Sequence, residues 1–140
     1  MESLTVSSAV APEVEDLIGD GLDEYNAASA GPQNAEPLWI VARDAAGTVV
    51  GGIKGRSGYG WLFVDWLWVA RDSRGRGLGA RLLDEAEASA AGRGCVGVYL
   101  GSFTFQAPDF YKRRGYEEFG RLDGYPPGAA LVWLKKQLPR

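Results

Sequence analysis

The sequence predicts an α/β (α+β) fold: a mixed central sheet of about seven strands, mostly antiparallel, flanked by helices on both faces. Three observations carry this. Residues 38–69 fall into turn-bounded apolar runs that read as three successive strands. Two other stretches space their apolar residues three and four apart, as one stripe of a helix requires. The pieces then follow the order β, α, three β, α, β, α, two β, with no repeat, low-complexity tract or linker, so residues 1–140 read as a single domain.

Residues 4–8 alternate apolar and hydroxyl side chains, the pattern of a short first strand. Pro12 opens a helix whose stripe is Val14, Leu17, Ile18, Leu22 and Tyr25; its polar face carries Glu13, Glu15, Asp16, Asp20, Asp23 and Glu24. Residues 26–32 have loop composition. Strands follow at 38–43, at 48–56 after the Asp44-Ala45-Ala46-Gly47 turn, and at 59–69 after a turn at Ser57-Gly58, an antiparallel meander. The third is apolar on both faces and is expected to be central and covered on both sides, with Asp65 its one charge between Trp61 and Val69. A second helix carries Leu78, Leu82, Leu83, Ala86 and Ala90 and stops at Gly92. A buried-type strand spans 95–101, a short helix runs from Pro108 through Phe110 and Tyr111 to Gly115, and strands at 116–121 and 129–135 close the chain.

With 46% hydrophobic and 24% charged residues, the composition is that of an ordinary soluble globule. Histidine is absent and cysteine occurs once, as Cys95. That excludes Ser-His-Asp and Cys-His triads, zinc fingers, His-ligated metals and intrachain disulfides, so no metal is expected. Proton transfer must use a carboxylate, a tyrosine, a lysine or water. Fifteen basic against eighteen acidic residues give a net charge of −3, which repels a phosphate backbone and argues against nucleic acid. No apolar run approaches the roughly 18 residues of a membrane span, and the N-terminus has an acidic rather than a basic start; the expected location is cytoplasmic.

The chemistry concentrates between the tryptophan-rich strand and the second helix, in Arg71-Asp72-Ser73-Arg74-Gly75-Arg76-Gly77-Leu78-Gly79. There, unpaired backbone N–H groups and the positive end of a helix dipole point the same way. Glycines at 75, 77 and 79 let an anion approach the backbone, and Arg71, Arg74 and Arg76 add positive charge; a polyphosphate fits best. The turn is neither a P-loop nor a dinucleotide fingerprint. Gly92-Arg93-Gly94-Cys95-Val96-Gly97 matches Gly-x-Gly-x-x-Gly literally, but it leaves a helix and enters a strand, the reverse of the context the motif needs.

What the turn resembles is the acyl-CoA pyrophosphate loop of the GNAT N-acetyltransferase superfamily, Gln/Arg-x-x-Gly-x-Gly/Ala at a helix start, supplied by Arg74, Gly77 and Gly79. The stretch from Ala107-Pro108-Asp109-Phe110-Tyr111 to Gly115-Tyr116 is similar to that family's Ala-x-x-Phe/Leu-Tyr-x-x-x-Gly-Phe/Tyr segment. The opening helix and the Tyr125-Pro126-Pro127-Gly128 segment look like a bacterial subgroup. The resemblance implies a splay between the fourth and fifth strands, the one ending at Val69 and the one beginning near Cys95, as the cleft for the pantetheine arm. It implies backbone contacts around Leu67, Trp68 and Val69, a pyrophosphate on the amides of Arg74, Gly75, Arg76, Gly77, Leu78, Gly79 and Ala80, and Arg71 or Arg76 near the outer phosphates. Ala107, Phe110 and Tyr111 would border the arm. Thr104 stands where the family commonly has an asparagine.

Acetyl transfer from a thioester to an amine needs a neutral amine, a site for the oxyanion and a proton for the leaving thiolate. Tyr111 matches the family tyrosine that protonates the thiolate, with core packing as its alternative role; a backbone N–H at Leu67 or Val69 would polarise the carbonyl. Asp65 is the candidate base, acting through water. Strand alternation puts it on one face with Phe63, Leu67 and Val69. Its alternatives are a cross-sheet ion pair with Lys54 or Arg56, and bulk water as the base. Cys95 reads as a small core residue. Trp61, Trp66 and Trp68 read mostly as core, some of them lining an acceptor cleft or a dimer face.

The expectation is therefore an acetyl-CoA-dependent N-acetyltransferase acting by direct transfer to a small amine, cationic in view of the acidic first helix, with residues 26–37 and 125–128 as walls of the acceptor site. A homodimer fits the apolar tail and the tryptophans. A catalytically silent acyl-CoA-binding or sensing module on the same fold is the alternative.

Overall fold

The computed structural model describes residues 1–139, in two compact units, Met1–Gln33 and Asn34–Arg140. The first unit is a single helix, α1 (Pro12–Ala30), preceded by extended chain. Pro12 starts it because a first-turn proline sacrifices no hydrogen bond. Gly31 stops it, with φ at 80° and its amide donating to the Ala27 carbonyl. Residues 4–8 form no strand: alternation describes which side chains could share a face, but a strand also needs a neighbour to pair with. Residues 26–30, expected as loop, continue the helix, because three alanines sustain it after the apolar stripe has ended.

The second unit holds β1 (Glu36–Arg43), β2 (Val49–Gly58), β3 (Trp61–Val69), a 3-10 turn at Arg71–Ser73, α2 (Leu78–Gly92), β4 (Gly97–Phe103), α3 (Pro108–Arg113), β5 (Glu117–Asp123) and β6 (Ala130–Gln137). Its strands form one six-stranded sheet in the order β1-β2-β3-β4-β6-β5, antiparallel except for the parallel β3–β4 pair. The expected class holds, with six strands rather than seven.

One face of this sheet is the core. Ile53, Leu62, Val64, Val98, Leu100, Val132 and Leu134 meet Leu82, Leu83, Ala86 and Ala90 of α2, and Phe110 and Tyr111 of α3 pack against the same cluster. Two alanines on α2's inner stripe let the helix lie close to the strands. At its far end Arg93 donates to the Glu36 and Pro37 carbonyls, each at 3.0 Å, pinning α2 to the start of β1.

The other face collects all five tryptophans: Trp39, Trp61, Trp66, Trp68 and Trp133 alternate with core-facing neighbours on their strands. β3 is central as expected, but within the second unit it is covered on one side only. Trp66 is 60% exposed and Trp68 52%, since α2 and α3 both pack on the opposite side.

Candidate active site

Strands β3 and β4 pair only from Trp61↔Gly97 to Val64↔Leu100 and then diverge, so the expected splay is present. Beyond Val64 the edge of β3 that faces β4 has no strand partner. The wedge is a cleft of about 780 Å³, walled by the end of β3, the start of α2, β4 and α3.

The turn entering α2 forms one end of the cleft. Gly77 adopts the left-handed conformation, φ 80° and ψ 10°, which a residue with a Cβ takes up at a cost, and it occupies the helix N-cap without a side chain to satisfy the first-turn amides. No acidic residue stands in that turn, so nothing anionic competes for those donors. Neither Gly75 nor Gly77 has another atom within 4 Å of where a Cβ would be. The amides of Gly75, Arg76 and Gly77 donate to no backbone carbonyl among the described residues. Arg74 anchors the loop by donating from Nε to the Val69 carbonyl at 2.9 Å. The result is an open nest of N–H groups at a helix N-terminus, suited to a diphosphate.

Of the residues expected to hold the cofactor, Leu67, Trp68, Val69, Arg74, Gly75, Gly77, Leu78, Gly79, Ala80, Ala107, Phe110 and Tyr111 line this one cleft. Arg71, Arg76 and Thr104 do not. Arg71 and Arg76 are exposed, and Arg76 donates to the Asp72 carbonyl at 3.1 Å. Thr104 is committed to the sheet: its Oγ1 accepts the Ala130 amide at 3.1 Å, and its own amide donates to the Ala130 carbonyl at 2.9 Å. The 125–128 turn also lies outside the lining.

Tyr111 projects from α3 with its ring edge-on to Phe110 and Tyr116, at centroid separations of 5.1 and 5.8 Å. Burial pushes its phenol up to about 12, because a phenolate there would lose its hydration. Its neighbour Tyr116 is pushed higher still, by burial and then by the Glu87 carboxylate, to which its hydroxyl donates at 2.9 Å. Lys136 donates to the other oxygen of Glu87 at 2.8 Å, so Tyr116 belongs to a closed network that ties α2 to β6, while Tyr111 borders the cleft.

Asp65 also lines the cleft, for a reason that alternation misses. The β2–β3 register shifts between Lys54 and Gly55: Lys54 faces Trp66 and Gly55 faces Val64, which leaves Asp65 as the extra residue of a bulge. The bulge reverses the phase of β3, so Phe63 lies on the tryptophan face while Leu67 and Val69 pack on the core, and the single face expected for all four residues does not exist. Gly55 makes the bulge possible: a Cβ there would come within 2.6 Å of the Phe63 carbonyl. Asp65 pairs loosely with Arg56 at 3.7 Å, one of the two cross-sheet partners anticipated for it.

Ser73, Ser102 and Gln106 line the cleft without having been singled out, and Trp66, one of the tryptophans weighed for an acceptor cleft, lines it too. Gln106 had a readable signal, immediately before Ala107-Pro108; its Oε1 accepts the Phe103 amide at 2.8 Å and shapes the entry to α3. Cys95 is half-buried against the core, and burial raises its thiol despite Arg93, in keeping with a packing role.

A family model for the acetyltransferase (GNAT) domain matches residues 34–118. The chain belongs to the GNAT acetyltransferase family. Acetyltransferase Atu2258 of Agrobacterium fabrum is 34% identical over 135 residues, which cover 96% of this chain and 98% of that one. Blasticidin-S acetyltransferase of Streptomyces morookaense is 43% identical over 108 residues, 74% of this chain and 79% of that protein. The crystal structure of an acetyltransferase from Bacillus cereus matches with a TM-score of 0.87 at 31% identity, covering 96% of this chain and 98% of the other. Within this GNAT acetyltransferase the glycine turn, the strand splay and Tyr111 therefore meet in a single cleft. No helix among the described residues is long and apolar enough to cross a membrane.

Proposed function

We propose that the protein is an acetyl-CoA-dependent N-acetyltransferase that passes the acetyl group directly to a primary amine of a small cationic molecule. The observation that carries this is the convergence of an anion-binding turn at residues 74–79 and a protonated phenol, Tyr111, on the cleft opened by the β3–β4 splay. The amides of Arg74 to Ala80 take the diphosphate, the unpaired edge of β3 at Leu67, Trp68 and Val69 takes the pantetheine arm, and Ala107 and Phe110 border it. Arg71 and Arg76 sit outside the cleft, where they reach outer phosphates. The relative named for blasticidin-S supports a small-molecule acceptor. In the same proposal residues 1–140 work as one domain, in the bacterial cytoplasm, as a homodimer.

The amine nitrogen attacks the thioester carbonyl, its C–N bond forms, and the C–S bond breaks. The proton lost from nitrogen goes to Asp65 through water. A main-chain amide of β3 stabilises the oxyanion, and Tyr111 donates to the departing sulfur. Full transfer from a phenol near 12 to an ordinary thiolate near 8.5 is uphill by roughly 3.5 pKa units, about 5 kcal/mol. Tyr111 therefore keeps its proton and acts as a hydrogen-bond donor to the sulfur while the C–S bond breaks; the proton taken from nitrogen leaves by way of Asp65 and water, and the departed thiolate is protonated from solvent.

Tyr111→Phe is expected to lower kcat by about 10²–10⁴ with acetyl-CoA affinity retained. A variant with full turnover removes Tyr111 from the chemistry, and a wild-type protein that binds acetyl-CoA without turning over any amine identifies a silent binding module. Gly77→Asp should abolish acetyl-CoA binding in calorimetry by placing a carboxylate where the diphosphate sits; undiminished affinity moves the cofactor elsewhere. Asp65→Asn should alter the pH–rate profile, and an unaltered profile assigns the proton to solvent.

A further inference from the structure

Helix α1 buries none of its residues. Its stripe is left in solvent, with Leu17 74%, Ile18 66% and Tyr25 71% exposed. Such a helix does not persist by itself. Gly19 and Gly21 lie in its interior, no side chain caps its N-terminus, and its carboxylates Asp16 and Asp20 repel one turn apart with no basic residue in the last turn. An amphipathic helix of this kind is held by whatever covers its apolar stripe.

The second unit carries a matching surface. Trp39 and Val41 of β1 and Trp66 and Trp68 of β3 are 48–60% exposed on the face opposite α2, and the cations Lys54 and Arg56 of β2 lie among them. Three neighbouring strands span about 10 Å, the width of one helix. Charge matches as well. Residues 1–33 contain seven carboxylates and no lysine or arginine, a formal −7, whereas residues 34–140 hold all fifteen basic residues and eleven of the eighteen acidic ones, a formal +4.

We propose that this face is covered by α1 of a second copy of the chain, in a two-fold exchange that buries both apolar stripes. Val14, Leu17, Ile18, Leu22 and Tyr25 of one copy lie on Trp39, Val41, Trp66 and Trp68 of the other, and the acidic flank meets Lys54 and Arg56. Gly31-Pro32 serves as the hinge, where Gly31 at φ 80° ends the helix and proline cannot continue it. Because Trp66 and Trp68 also line the cleft, the visiting helix brings carboxylates to the mouth of its partner's active site. This specifies the proposed homodimer but needs no catalysis for its test.

Sedimentation equilibrium on the wild type is expected to give a dimer, and tryptophan emission should move to longer wavelength on dilution as Trp39, Trp66 and Trp68 become solvated. Leu17→Asp should give a monomer with red-shifted emission at every concentration and unchanged acetyl-CoA affinity, which also separates it from a folding failure. A wild type that stays monomeric at all concentrations overturns the proposal, as does a Leu17→Asp protein that remains dimeric. A monomer whose emission Leu17→Asp shifts to the red identifies the chain's own helix as the cover, and likewise overturns it.

Discussion

Helices α1 and α2 carry the same kind of pattern, and the chain uses them in opposite ways. Each has apolar residues three and four apart, yet α2 buries Leu82, Leu83, Ala86 and Ala90 while α1 buries nothing. The polar sides explain part of the contrast. In α2, Glu87 accepts hydrogen bonds from Tyr116 and Lys136, and Asp84 pairs with Arg114, so two of its three acidic residues are fastened to neighbouring parts of the second unit. In α1 the acidic residues have no basic counterpart anywhere in the first 33 positions. An amphipathic stripe says that a helix must be covered; the charges around it say what by.

The largest effect should come from Leu83→Ala, which leaves a cavity between α2 and the sheet and costs about 2–5 kcal/mol in chemical denaturation. Alkaline pH attacks the same layer. Burial holds the Tyr111 phenol protonated to about 12, against about 10 in the unfolded chain, so its contribution is intact below pH 10 and is lost as pH climbs through 12. Stability should fall by about 1.4 kcal/mol between pH 9 and pH 11 on this account, and the drop should shrink in Tyr111→Phe. Next comes Tyr116→Phe, which removes the hydroxyl that binds Glu87 but leaves Lys136 in place, a loss of about 1 kcal/mol with the fold intact. The smallest is Leu17→Ala: at concentrations low enough to keep the chain monomeric, it should change the unfolding of the second unit by no more than about 0.5 kcal/mol. If it cost as much there as Leu83→Ala, the contrast between the helices would be wrong.

Much of the site could be read before any coordinates. The Arg74-to-Gly79 turn is a local device, built from residues adjacent in the chain, and its location at the start of α2 follows from glycine spacing alone. Tyr111 was legible for a different reason, the resemblance of residues 107–116 to the GNAT family's tyrosine segment, and it lies on a short helix opened by Pro108. Asp65 was found as a lone charge in an apolar strand, but for a wrong geometric reason. The bulge that aims it depends on Gly55, ten residues away on β2, and on the carbonyl of Phe63 that a side chain at 55 would strike. Thr104 and Arg76 fall outside the cleft lining because their hydrogen bonds, to Ala130 and to the Asp72 backbone, are choices among neighbours that no spacing announces.

By itself the sequence determined the order of elements, the glycine cradle with its open amides, and the absence of histidine chemistry, because each of these depends on composition or on contacts a few residues apart. Tertiary structure alone decided that six strands pair and residues 4–8 do not, that the second unit covers β3 on one side, and that its phase flips at Asp65. These depend on which partner a backbone or a face finds across the fold, and an unpaired strand or an uncovered tryptophan looks the same in the sequence as a paired or buried one.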